Sequence, residues 1–374
     1  MNLPVVLTVA VFLALVPACL VVLAVRSRNM HYWLPTYFRQ RGLRTGNLPS
    51  GTTVYVAVAD HFEPFGGGAP PDKAAWRMAQ WHARYPELAS RHVDSMGRHP
   101  QHTFFYPIEE YDPQVLESLA DLVNRGFGDV DVHYHHDGDT AEGLRTALLG
   151  FVDVLRNRHG LLRTPDTEGS VPYCFVHGNW ALDNSRPDGR WCGVDNELQV
   201  LVDTGCVADF TLPSAPSDTQ TRTINSIYLA RGRDGCRKSH DTGRQLVVGE
   251  WTQPGELLIV QGPLGLNWAS RKFGIMPRIE NAEISADARP DAQRVALWSQ
   301  LAPRIPGAER HVFIKLHTHG AEDPTMASLL GGDLDLMWTE LERQYRDAPG
   351  VSLRYVTAWE MYQTIRGLAA GGTN

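Results

Sequence analysis

The sequence predicts an α/β fold, a parallel sheet that is open or closed into a barrel, preceded by one transmembrane helix. Three observations predict it. Strand-length apolar runs alternate with longer helical patterns from residue 52 onward, and repeated strand-then-helix units imply parallel strands joined by helical crossovers. Polar residues rich in imidazole recur where these strands end. Residues 3–25 read LPVVLTVAVFLALVPACLVVLAV without a single charge.

That first run is long enough to cross a ~30 Å hydrocarbon core as a helix, and Pro17 is tolerable in such a helix. The run lacks the basic n-region and cleavage site of a signal peptide. Residues 26–51 form a basic, aromatic juxtamembrane segment in which Arg26, Arg28, Arg39, Arg41 and Arg44 follow the anchor. The positive-inside rule places that side in the cytoplasm, so the expectation is a single-pass inner-membrane protein with a cytoplasmic catalytic domain, a periplasmic one being the alternative. Cys174, Cys192, Cys206 and Cys236 are scattered without a C-x-x-C pair, as reduced thiols are.

Residues 52–374 make up the soluble domain. VYVAVAD (Val54–Asp60) is a buried strand by its β-branched content. AAWRMAQWHARYPEL is helical, with Trp76, Ala79, Gln80 and Ala83 spaced for one face. HTFFYPIE is the second strand. In DPQVLESLADLVNRG, Asp112 is the N-cap, Pro113 the first helical residue and Gly126 the stop. DVDVHYHHD is a strand running into a polar loop, and TAEGLRTALLGFVDVLRNRHG a long helix. VPYCFVHGNW is a strand, NELQVLVDTG a helix ended by Gly205, and VADFTLP a strand. Ser214–Arg244 reads as irregular. GELLIVQGPL is a strand, DAQRVALWSQLAPRI a helix and RHVFIKLHTHG a strand. A helix over Leu334–Tyr345, the strand VSLRYVT and a helix from Ala358 close the chain.

The formal charge of −7 excludes the basic footprint of a nucleic-acid binder. No Walker or Rossmann glycine pattern and no G-x-S-x-G elbow occurs. The chemistry concentrates at the strand ends: Asp60, His61 and Glu63; His133, His135, His136 and Asp137; His177 and Asn179; His317 and His319. Residues i and i+2 of a strand share a face, so His133 points with His135, and His317 with His319. Imidazoles and carboxylates at this density suit one divalent metal of the zinc, iron or cobalt kind.

In order and spacing, VYVAVADHFEP, HTFFYP, VDVHYHHD, FVHGNW and FIKLHTHG resemble the polysaccharide-deacetylase superfamily (NodB-type, carbohydrate esterase 4-like). The resemblance spans Val54 to Gly320 and implies a distorted (β/α)7-type barrel. It implies Asp60 as catalytic base and His61 in place of a second aspartate. His133, His135 and Asp137 become candidate metal ligands beside His61, with zinc as the metal. KLHTH matches the motif of the catalytic acid, giving His317 or His319. HGNW stands where the family has an arginine motif, so His177, Asn179 and Trp180 become substrate-binding candidates. The implied function is metal-dependent removal of N-acetyl or other acyl groups from a glycan or a lipid-linked precursor. Two alternatives stand beside it: a glycoside hydrolase on the same barrel, which needs two carboxylates, and a membrane-tethered glycan-binding protein with a decayed site.

Overall fold

The structure, a computed structural model, describes residues 15–16, 19–43, 48–164, 169–233 and 235–371. Twelve strands occur among them: β1 (Thr52–His61), β2 (His102–Pro107), β3 (Gly128–Tyr134), β4 (Tyr173–His177), β5 (Cys206–Asp209), β6 (Ile227–Arg231), β7 (Arg244–Gln245), β8 (Glu256–Val260), β9 (Gly265–Lys272), β10 (Met276–Glu280), β11 (His311–Thr318) and β12 (Val351–Tyr355). The main sheet runs β11-β1-β2-β3-β4-β5-β8-β6-β7, with β12 also on β1. Every pair from β11 to β8 is parallel, while β6 and β7 turn antiparallel. β9 and β10 form a separate hairpin.

Alternation along β1 divides the packing. Val54, Val56 and Val58 belong to the outer core, under helices such as Pro71–Ala89 and Pro113–Asn124. Tyr55, Ala57 and Ala59 join the inner core with Phe105, Val176, Phe210 and Val260. Each fully buried valine contributes about 1.5–3 kcal/mol. The helix Ala358–Ala369 packs on the inner face through Met361 and Ile365, and its first backbone N–H donates to Thr103 Oγ1 at 2.8 Å.

Local signals act as their chemistry requires. Asp112 accepts from the N–H groups of Gln114 and Val115, and Gly205 ends the helix Glu197–Thr204 at φ 103. One helix face differs from its reading. Ala74, Met78, Trp81 and Tyr85 are buried, whereas Trp76 is 46% exposed, because the larger apolar set lies two residues out of phase with the expected stripe.

The expected anchor needs a correction. Of residues 3–25, only Leu15, Val16 and Cys19–Val25 are described, as helix; the others lie outside the described residues. Among the described residues no helix is long and apolar enough to cross a membrane. This finding overturns the expected single-pass membrane protein and the orientation drawn from it. The segment expected beside headgroups packs on protein instead: Trp33 and Tyr37 are buried with Ile224, Leu264 and Leu301. Asn29 Nδ2 also donates to the Pro216 carbonyl at 3.0 Å.

Candidate active site

The register of the parallel strands brings distant residues to one rim. His317 lies beside Ala59, His61 beside Phe105, and His133 beside Val176. All point to the inner face, where the small side chains Ala57 and Ala59 leave width for imidazoles. Beyond the strand tips Glu63, His135 and His319 complete the group. Ligating atoms of His61, Glu63 and His319 lie within 4.8 Å of one another, and so do those of Glu63, His133 and His135. Glu63 belongs to both sets, so one carboxylate is central to four imidazoles.

The protons make this more than proximity. His133 Nδ1 is 2.8 Å from the Val176 carbonyl, an oxygen that can only accept, so Nδ1 carries the hydrogen. In the neutral ring Nε2 then presents a lone pair to Glu63 Oε1, 3.2 Å away. Two acceptors facing each other require a second proton or a cation between them. The His61 ring centroid is 4.9 Å from that of His133 and 4.7 Å from that of His319. Burial first, then the neighbouring imidazoles and Lys315, hold His61 well below the ordinary imidazole range, and its buried Nε2 has no hydrogen-bond partner among the described residues. His135 Nδ1 lies 2.5 Å from Glu109 Oε1, and Nε2 is 3.6 Å from Glu63 Oε1. A carboxylate behind a ligating imidazole is a common support in metal sites. Imidazole nitrogens and carboxylate oxygens suit a zinc-like divalent ion.

Among the expected metal ligands, His61, His133 and His135 come together here. Asp137 does not: the strand ends at Tyr134, the two-residue period stops, and Asp137 Oδ1 accepts from Trp191 N–H at 2.7 Å. Of the expected catalytic residues, Asp60 lies beneath the rim and fully buried. Its Oδ1 accepts from Gly320 N–H at 2.6 Å and its Oδ2 sits 2.8 Å from His102 Nε2. Gly320 has to be glycine, since a Cβ there would stand 2.2 Å from Asp60 Oδ2. His319 stands among the metal-ligand candidates, and His317 lies deeper, 6.4 Å from His61 between ring centroids. Trp180 borders the cluster, with ring centroids 6.0 Å from His61 and 5.7 Å from His319. Asn179 turns the chain out of β4 at φ 54. His177 is buried on another side, beside His136 and Glu197.

Sequence reasoning placed Glu63 among the strand-end residues without making it a metal ligand, and it gave Glu109, Glu110 and Lys315 no role. The ligand role of Glu63 was findable, because it stands two positions after His61 and continues the same face. Glu109 and Glu110 close the turn after β2. Lys315, two residues before His317, is fully buried, and its Nζ has no hydrogen-bond partner among the described residues. Burial pushes its ammonium down to about 7, against the pull of Asp209, whose own carboxyl burial lifts to about 7. A cavity of about 790 Å³ beside Arg39, Arg222 and Arg304 contains none of the rim residues, so the chemistry argues for the rim over that cavity.

No protein-family model matches the chain, and no curated protein matches it. Among solved structures, the fold is similar to that of the 4-alpha-glucanotransferase from Thermococcus litoralis, at 11% identity and a TM-score of 0.40, over 85% of this chain. The chain spans 40% of that protein's length. An overlap this distant leaves the chemistry to be argued from the site itself.

Proposed function

We propose that the chain is a metal-dependent hydrolase that cleaves a glycosidic bond. The observation that carries the reading is the placing of Glu63 among His61, His133, His135 and His319, with Glu110 close by in a different environment. Burial works against ionisation of Glu63, but His133 above all, then His319 and His135, hold it down to about 2. Burial lifts Glu110 to about 7, opposed by the Phe65 N–H on Oε2 at 2.9 Å and reinforced by Glu63 and Glu109. Two carboxyl groups driven apart in this way suit a division between ionised partner and proton donor, which is what glycoside cleavage asks of a carboxylate pair.

His61, Glu63, His133, His135 and His319 would hold the metal. When bound, it supplies Lewis-acid stabilisation of charge developing on an oxygen. Glu63 stays ionised and faces the reacting centre. Glu110 hands its proton to the departing oxygen, a water molecule adds to the anomeric carbon, and the proton that water releases restores Glu110. Trp180 offers an aromatic face at the rim on which a pyranose can lie. Val176 and Glu109 keep the His133 and His135 rings in their tautomers.

The test is a panel of aryl glycosides and oligosaccharides offered to metal-loaded protein, with reducing ends and free acetate measured in parallel. Reducing ends that vanish in chelator and return on re-addition of zinc support the reading. Acetate release without new reducing ends would replace it with acyl-group hydrolysis.

A further inference from the structure

A second group of metal-ligating side chains lies outside the rim. His136 follows β3, His177 ends β4, Cys192 sits in the long excursion after β4, and Glu197 opens the helix Glu197–Thr204. All four are buried, with ligating atoms within 4.8 Å of one another. Glu197 Oε1 is 3.3 Å from His136 Nε2 and 3.4 Å from His177 Nε2, and its Oε2 is 3.4 Å from Cys192 Sγ. We propose that His136, His177, Cys192 and Glu197 form a closed structural site for a zinc-like divalent cation, separate from the rim cluster.

The protons lead to it first. His177 Nδ1 lies 2.5 Å from the Gly178 carbonyl, which can only accept, so the hydrogen is on Nδ1. Nε2 of the neutral ring then aims a lone pair at Glu197 Oε1, and this buried nitrogen has no hydrogen-bond partner among the described residues. A cation between the two acceptors resolves the conflict. The distances agree: metal bonds of about 2.0–2.3 Å at tetrahedral angles put neighbouring ligand atoms roughly 3.3–3.6 Å apart.

The surroundings fit as well. His136 Nδ1 stands 3.3 Å from Asp139 Oδ2, near enough for an ion pair but off the angle for a hydrogen bond. An ion on Nε2 would strengthen that contact, as carboxylates behind ligating imidazoles do. The Asp183 N–H donates to Glu197 Oε2 at 2.6 Å and orients the carboxylate. Four protein donors without access to solvent make a structural rather than a catalytic site.

The site has something to hold. Between β4 and Glu197 the chain bends through Asn179, Trp180, Asp183, Asn184 and Trp191, all non-glycine residues at positive φ. Such conformations persist where the surroundings over-determine them. A cation that joins Cys192 and Glu197 to His136 and His177 would fasten both ends of this excursion to the strand tips. The excursion carries Trp180 to the rim.

Cobalt(II) loading of the whole chain, followed by desalting, tests this independently of turnover. The expected result is a thiolate-to-cobalt charge-transfer band in the near ultraviolet. Cys192→Ser should abolish it, Cys236→Ser should leave it intact, and His133→Ala should remove rim metal without touching the band. Should Cys192→Ser fail to fold, X-ray absorption of the zinc-loaded wild type decides, with a sulfur neighbour expected at ~2.3 Å. Failure to retain metal, retained metal without any sulfur signature, or a band that survives Cys192→Ser would each overturn the site. None of these outcomes depends on which bond the rim cleaves.

Discussion

Replacing Lys315 with methionine should stabilise the protein. The side chain is fully buried on the inner face of β11, and its nitrogen has no hydrogen-bond partner among the described residues. Methionine keeps the apolar stem and adapts to the same space. The ammonium falls from an ordinary 10.5 to about 7, so the unfolded chain binds more protons between those values. The stability conferred by the neutral amine is present above about 10.5 and lost as pH falls through about 7. At neutral pH the charging penalty has an upper bound of about 4 kcal/mol. The pull of Asp209 on β5 is already part of that balance, and His317 and His61, both held below the ordinary imidazole range, stay neutral and add no repelling charge. A gain of about 1–3 kcal/mol is therefore expected for Lys315→Met at pH 7, shrinking towards pH 10. Urea unfolding followed by tryptophan fluorescence, with metal content held constant, reads both quantities. A variant less stable than wild type at pH 7, or a difference that does not change with pH, would show that Lys315 is charged and well paired.

Asp60→Ala strips two buried donors, Gly320 N–H and the His102 ring, of their acceptor, so roughly 2–6 kcal/mol of stability should go; Asp60→Asn, which keeps one acceptor, should cost less. If urea unfolding finds Asp60→Ala nearly neutral, the clamp described here is not holding the rim. Glu63→Gln should lower rim metal affinity at least tenfold (a loss in the range seen for site perturbations), as elemental analysis after dialysis will read; full retention would remove Glu63 from the ligand set. Glu110→Gln should erase the decline in rate as pH rises through about 7, the value to which burial lifts that carboxyl; a profile unchanged in shape would assign the acid to another group. Trp180→Ala should raise KM roughly 5- to 30-fold, as losing about 1–2 kcal/mol of ring contact would, with little change in unfolding midpoint; the opposite pattern makes Trp180 a packing residue.

The strands that carry the site were legible because each is an apolar run that turns polar at its tip, as Val54–His61 and Val312–His317 do. Helix ends were legible where a cap has its own chemistry, as at Asp112 and Gly205. The stretch Ser214–Arg244 hid β6, whose five residues lie between polar, turn-rich flanks and gain their order from antiparallel pairing with β8. The hairpin β9–β10 was missed for a related reason: its exposed residues, such as Phe273 at 90%, follow no burial pattern. At the site, two-residue alternation locates His133 and His317 but ceases to apply past a strand's last residue. Asp137 and His136 lie just past one such end, and their directions come from the loop that folds back with Trp191 and Cys192. The membrane reading rested on hydropathy over residues that are mostly outside those described.

The pairing of β1 has a kinetic consequence. Thr53 sits beside His311, and Thr52 beside Val351, so an early strand has as its neighbours two of the last to be synthesised. Closing loops of this length is slow, because chain entropy must be lost before the contacts reward it. While β1 waits on the ribosome, Val54, Val56 and Val58 have β2 and β3 within reach but no strand on their other edge. A nascent chain stalled before His311 would therefore present an unpaired apolar edge, the kind of surface that aggregates or recruits chaperones. Assembly of the rim is in this sense a late event in folding: His61 meets His319 only after β11 has emerged.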